Sequence, residues 1–171
     1  MCRQIKRHKN GTEWRNFYGR FKGKGLSATQ KGALLTEFKK YSLENVSWEE
    51  NPKRRKIKLP EIFYEKSVWL EIGFGGGEHL IHQARINPDI GFIGCEPYQN
   101  GVAKLMGKLK ANPCENIKLY DGDIRNVFDV LPKNSISKVF LLYPDPWPKK
   151  RHHRRRFVTQ EFLVPLYDSM K

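Results

Sequence analysis

The sequence predicts an α/β domain built on a parallel, doubly wound sheet. Two observations carry this. From Ser67 onward, short apolar runs alternate with amphipathic segments of helical period, and the first apolar run opens into a glycine-rich turn. A βαβαβ series of this kind needs crossover helices, which cover both faces of a parallel sheet.

Each element has its own signal. Residues 1–25 read as a basic arm in which Trp14, Phe17, Tyr18 and Phe21 interleave with Arg15, Arg20, Lys22 and Lys24, and four glycines oppose a helix. Such a mixture can grip phosphates and stack on bases. Ser27 is placed to cap a helix running to about Tyr41, with Leu34, Leu35 and Phe38 on one face. Residues 42–60 read as a loop broken by Pro52 and Pro60 and carrying Lys53-Arg54-Arg55-Lys56. Val68–Ile72 is a buried strand, Glu78–Asn87 a helix stopped by Pro88, and Gly91–Cys95 a second strand ending at Glu96. In the next helix Val102, Leu105, Met106 and Leu109 fall at i, i+3, i+4 and i+7. Ile117–Tyr120 and Lys138–Tyr143 are the third and fourth strands, and Phe157 begins a helix that Pro165 should kink or restart. The domain reading is a basic arm and helix over residues 1–60 and the α/β domain over 61–171.

Bulk composition excludes several classes. No 18-residue apolar run exists, so a membrane span is excluded, and the basic N-terminus lacks the apolar region of a secretory signal. Cys2, Cys95 and Cys114 form no CxxC pair, which argues against a zinc site or disulfide framework and for a reducing cytoplasm. No His/Cys/Asp cluster suggests a metal. The net charge of +14 is uneven: residues 1–60 hold 16 Lys/Arg and 5 Asp/Glu, residues 61–148 hold 9 and 11, and residues 149–171 hold 7 and 2. Two basic flanks around a neutral core point to a polyanionic partner, and a pair of solvated tails is the bland alternative.

The turn reads Glu71-Ile-Gly73-Phe-Gly75-Gly-Gly77-Glu78. A dinucleotide fold wants G-x-G-x-x-G with a pyrophosphate on the helix N-terminus, where the Glu78 carboxylate would repel it. Acids instead recur at the strand ends. Glu71 precedes the turn, Glu96 closes the second strand and can accept both hydroxyls of a ribose, and Asp121 and Asp123 follow the third, with Asp123 favoured because it abuts the next apolar segment. Taken singly each is a solvated loop residue; three at successive strand ends beside a glycine turn make a site. The turn resembles motif I of class I methyltransferases, which implies a Rossmann-like fold and S-adenosylmethionine, a ligand with a sulfonium and no phosphate.

The most specific stretch follows the fourth strand. In Tyr143-Pro-Asp145-Pro-Trp147-Pro148, three prolines stiffen a loop that presents one carboxylate and one flat ring, and Lys149 to Arg156 adds a dense basic run. With Leu70-Glu-Ile-Gly-Phe-Gly75 and the arm from Arg15-Asn16-Phe17 to Leu26, this resembles the bacterial tRNA (guanine-N7-)-methyltransferase family over essentially the whole chain. The resemblance implies that Glu71, Gly73, Gly75, Glu96, Asp123 and Asp145 line an S-adenosylmethionine site. It makes Asp145 the catalytic residue, gives tRNA contacts to Lys149, Arg151, Arg154, Arg155 and Arg156, and makes N7 of a variable-loop guanine the target. Such a protein is expected in the cytoplasm, as a monomer at full length. Guanine N7 has a free in-plane lone pair, so attack needs positioning rather than a base. A class I sheet has seven strands and four are counted here, so the chain is expected to lack the last strands and to leave the fourth as an edge. A tRNA-binding relative without turnover and an NAD-type Rossmann protein are the competing readings; the Glu78 position and the Pro-Asp-Pro-Trp loop oppose the latter.

Overall fold

The computed structural model describes residue 15 and residues 17–171; Cys2, Gly11, Trp14 and Asn16 of the expected arm lie outside the described residues. The elements run α1 (Ala28–Tyr41), α2 (Leu59–Phe63), β1 (Ser67–Ile72), α3 (Glu78–Ile86), β2 (Ile90–Cys95), α4 (Gln99–Ala111), β3 (Ile117–Tyr120), α5 (Ile124–Val130), β4 (Ile136–Leu141), a 3-10 segment (Lys150–Arg155) and α6 (Gln160–Ser169). The four strands are parallel in the order β3-β2-β1-β4, which is the doubly wound arrangement. Sequence order reverses between β1 and β4, so a crevice opens beyond the carboxyl ends of these strands.

Alternation along the strands divides the core in two. Leu70, Ile72, Ile93 and Cys95 face one layer, with Val127, Phe128 and Val130 of α5 and the partly buried Phe162 and Leu166 of α6. Phe92, Ile117 and Leu119 face the other, with Leu80 of α3 and Leu105, Met106 and Leu109 of α4, while α1 lies across α4. Residues 42–59 also enter the core: Leu43, Val46, Ile57 and Leu59 are buried, and the Leu43 amide donates to the Leu119 carbonyl at 2.8 Å along the β3 edge. The boundary at residue 60 therefore marks a change in charge rather than an edge of the core.

Several elements differ from their sequence expectation for local reasons. Ser27 caps α1 with a reciprocal Gln30 bond, as a capping box does, but Leu35 is 84% exposed. The buried stripe is Ala33, Glu37 and Tyr41, with Leu34 and Phe38 beside it, which turns Leu35 outward. The short α2 was not foreseen; Pro60 sits in its first turn, where a missing N–H costs nothing. β4 runs from Ile136 to Leu141, where its pairing with β1 ends opposite Ile72, with a register shift that skips Ser137, and Tyr143 follows at φ 52°. Pro165 neither breaks nor restarts α6, which runs through it. The outer edge of β4 is met at its start by Met170, in a parallel bridge to Ile136, with the Lys171 amide donating to the Ile136 carbonyl at 2.9 Å.

Candidate active site

The glycine turn after β1 is built on left-handed backbone: Gly73, Gly75 and Gly77 have φ of 75°, 56° and 76°, which side chains disfavour. Two close approaches pin it. A Cβ on Gly77 would lie 2.6 Å from Leu105, and a Cβ on Gly101 of α4 would lie 2.4 Å from the Gly75 carbonyl oxygen. Gly101 escaped the sequence reading, although a glycine inside a helix costs about 1 kcal/mol and so signals a close approach.

Glu96, at the end of β2, joins this turn to the sheet. Its Oε2 accepts the Gly75 amide at 2.7 Å and its Oε1 accepts the Tyr98 amide at 2.8 Å. Each oxygen keeps a second acceptor site for a ligand hydroxyl. Glu78 stands against the same turn: its carboxylate oxygens lie 2.7 Å from where a Gly76 Cβ would be. Lys108 pairs with that carboxylate and donates to the Gly76 carbonyl at 2.7 Å. The hydrogen bond to Lys108 lowers the Glu78 pKa. Glu78 thus places a carboxylate, ion-paired with Lys108, beside the glycine turn at the start of α3.

A cleft of about 480 Å³ opens over the carboxyl ends of the strands, within the size range of cofactor sites. Gly73, Glu96, Asp123, Asp145, Arg154 and Arg155 of the expected residues line it, together with Trp147 and with Phe17 to Arg20 of the arm. Asp121 does not, and Asp123 does, so Asp123 is the acid on the cleft side. Its carboxylate is heavily engaged: Oδ1 caps α5 through the Arg125 amide at 3.0 Å, and both oxygens accept from the Arg125 guanidinium. Arg125, absent from the sequence reading, is buried and also bonds Glu161 of α6. Burial opposes its charge, but the bonds to Asp123 and Glu161 prevail and hold its pKa above the ordinary value.

Glu71, Gly75, Lys149, Arg151 and Arg156 are not among the cleft-lining residues. Glu71 is buried at the end of β1 and its Oε2 lies 2.7 Å from His79 Nδ1, a partner on α3 that sequence reasoning missed. Burial raises the Glu71 pKa, partly offset by that hydrogen bond. Gly75 connects to the cleft through Glu96.

The loop after β4 has its own frame. Tyr143 and Trp147 both adopt positive φ, 52° and 40°, on either side of Pro144-Asp145-Pro146, a strained arrangement costing on the order of 1 kcal/mol or more each. Arg156 holds it from behind, Nε donating to the Pro146 carbonyl at 2.9 Å and a terminal nitrogen to the Trp147 carbonyl at 3.2 Å. Arg155 lies between two rings, 5.1 Å from the centroids of both Tyr18 and Trp147, which fastens the arm to the loop. Arg154, though exposed, lines the cleft with its guanidinium 5.8 Å from the Tyr18 ring centroid, and Lys149 and Arg151 are exposed outside it. The basic run therefore divides into inward clamps and outward cations, a division its composition conceals.

Comparison with known proteins gives this constellation a context. A family model described as "Putative methyltransferase" matches residues 65–171. The chain is 57% identical over 171 residues to the tRNA (guanine-N(7)-)-methyltransferase of Roseobacter denitrificans, covering 100% of this chain and 71% of that protein. It is 56% identical over 165 residues to the protein of the same name from Ruegeria sp. (strain TM1040), covering 96% of this chain and 65% of the relative. The chain thus spans about two thirds of the length of these relatives. Among solved structures, "Structure of an Antibiotic Related Methyltransferase" matches 69% of this chain and 62% of its own at a TM-score of 0.51 and 18% identity, a likeness of fold. Since more than half of the residues are identical along nearly all of the chain, with the glycine turn and the Pro-Asp-Pro-Trp loop inside the matched region, the chain belongs to the tRNA (guanine-N(7)-)-methyltransferase family.

Proposed function

We propose that the cleft binds S-adenosylmethionine and that the protein transfers its methyl group to N7 of a guanine in the variable loop of tRNA. The observation that carries this is the convergence of Gly73, Glu96, Asp123 and Asp145 on one cleft beside Trp147, with the Glu78 carboxylate at the start of α3 beside the glycine turn. A ligand with a cationic sulfonium and amino group and no phosphate fits such walls. When bound, it supplies an electrophilic methyl carbon whose transfer leaves a neutral thioether and places positive charge on the purine.

The chain's residues have complementary tasks. Glu96 offers one free acceptor site per oxygen to the ribose hydroxyls while holding Gly75 in place. Asp123 has little acceptor capacity left, so its contribution is to fix Arg125 and the start of α5 as the wall beside the adenine. Trp147 offers a face for the guanine, and Asp145, between two prolines, faces the charge as it shifts to the ring. No proton has to leave N7 before attack, so the loop acts through alignment. Exposed Lys149, Arg151 and Arg154 contact phosphates at the cleft mouth, whereas Arg155 and Arg156 set the loop. In the described residues no helix is long and apolar enough to cross a membrane, and the described cysteines Cys95 and Cys114 are free and buried; we place the protein in the cytoplasm.

Calorimetric titration separates this reading from a dinucleotide one. S-adenosylmethionine should bind and NADH should not, and tritiated methyl should reach unmodified tRNA. Binding of NADH alone would overturn the reading.

A further inference from the structure

The run Lys53-Arg54-Arg55-Lys56 takes no part in the cleft, and the fold treats its members differently. Arg54 turns inward at φ 48°. Its guanidinium donates to the carbonyls of Val46 at 2.6 Å and Asn126 at 2.5 Å and lies 4.4 Å over the Trp48 ring. Asn51, buried beneath the same loop, donates to the carbonyls of Asn45 and Arg55 and accepts the Arg55 amide at 2.9 Å. These bonds make residues 45–55 a braced platform. Lys53, Arg55 and Lys56 stand exposed on it.

Around the platform lies a cavity of about 780 Å³, larger than the cleft. Six cations line it: Lys39 of α1, Lys53, Arg55, Lys56, Lys58, and Lys118 of β3. Against them stand Glu44, Glu50 and Glu61, and Glu61 is paired with Lys58 at 2.7 Å. The excess is positive and is spread over several segments, as recognition of a chain of phosphates requires and of a single small anion does not. The cavity also connects with the arm. Arg15 pairs with Asp129 at 2.9 Å, and Lys56 donates to the Asp129 carbonyl at 3.2 Å. Tyr18, three residues on and thus within about 11 Å of Arg15 along the chain, lines the cleft.

We propose that this basic cavity at the β3 edge is a second RNA surface, which holds phosphodiester groups of the substrate's body while the cleft holds its target guanine. This rests on the reading of tRNA as substrate. Phosphate contacts of this kind set register and affinity without reading sequence, and each adds about 0.7–0.9 units to the salt slope.

The test is the triple variant Lys39→Gln, Lys53→Gln, Arg55→Gln, with Lys53→Arg, Arg55→Lys as the charge-conserving control. Whole unmodified tRNA should bind the triple variant at least about tenfold more weakly, with the slope of log affinity against log salt flatter by about 2–3 units. The control should keep the wild-type slope. S-adenosylmethionine affinity and melting temperature should not move, and a short hairpin carrying only the variable-loop guanine should bind wild type and variant alike. An unchanged slope in a chain whose wild type binds tRNA would overturn this surface alone, as would equal losses for hairpin and whole tRNA. A wild type that does not bind tRNA would overturn the substrate reading and this inference with it.

Discussion

Glu96 holds the glycine turn and, under the proposed function, also a ribose, and its substitution tests both. It is 8% exposed and accepts one backbone amide on each oxygen. Glu96→Ala leaves the Gly75 amide without its partner and removes the acceptors offered to a ribose, and an unmade buried hydrogen bond costs about 1–3 kcal/mol. S-adenosylmethionine affinity should fall several-fold to about a hundredfold in a protein that still folds; unchanged affinity by calorimetry would remove the ribose role. Asp145 is exposed and makes no side-chain hydrogen bond among the described residues, so Asp145→Asn should spare folding, weaken S-adenosylmethionine binding several-fold and lower turnover by about 10²-fold. Single-turnover methyl transfer separates these effects. Glu71 gives a pH signature. Burial raises its pKa, so its protonated form is favoured in the folded state, and its contribution to stability is greatest at acid pH and lost as pH rises through the folded value. The melting temperature of the wild type minus that of Glu71→Gln should therefore fall as pH rises above the ordinary glutamate range of about 4.3. A rising difference would mean that the pairing with His79 outweighs burial.

At the scale of elements, the loop after β4 is held by its neighbours more than by its own sequence. The prolines restrict φ, yet the left-handed Tyr143 and Trp147 need outside support, which Arg156 supplies through the Pro146 and Trp147 carbonyls. Arg156→Lys keeps the charge and loses the forked geometry. It should lower kcat by about tenfold with little change in the salt dependence of RNA binding; a flattened salt slope with normal kcat would make Arg156 a phosphate contact instead. This also explains what could be read in advance. Strand positions, the glycine turn and the acids after each strand were legible because period and residue type are local properties. Leu35 was misjudged because the buried stripe of α1 is set by packing against α4, and the bounds of β4 were misjudged because they follow its pairing with β1, from Val68 opposite Ile136 to Ile72 opposite Leu141. Arg125, His79 and Gly101 went unseen because their meaning lies in contacts with Asp123, Glu71 and Gly75, distant or equivocal in a linear string.

Over the whole molecule, charge is arranged around a neutral sheet, and the described basic residues fall into three kinds. Arg54, Arg125 and Arg156 are spent internally on carbonyls and carboxylates, Arg154 and Arg155 lie against the arm's Tyr18 at the cleft, and Lys149 and Arg151 stand outside it. Net charge alone therefore overstates the cations available to RNA. Only exposed ones release counterions when they meet phosphates, and each adds about 0.7–0.9 units to the salt slope. Replacing Arg151 and Arg154 by Ala should flatten the slope for tRNA by about 1.5–2 units, close to what two independent phosphate contacts predict. At saturating RNA, Arg151→Ala alone should change turnover little, since Arg151 neither lines the cleft nor makes a hydrogen bond to the Pro144–Trp147 loop among the described contacts, whereas Arg154 lines the cleft beside Tyr18 and its loss should lower turnover as well. A matched series of binding isotherms across salt concentrations measures the slope, and single-turnover transfer at saturating RNA measures the chemistry. Loss of turnover with an unchanged slope would show that these arginines shape the active loop and that the outward charge of this segment is only solvated surface.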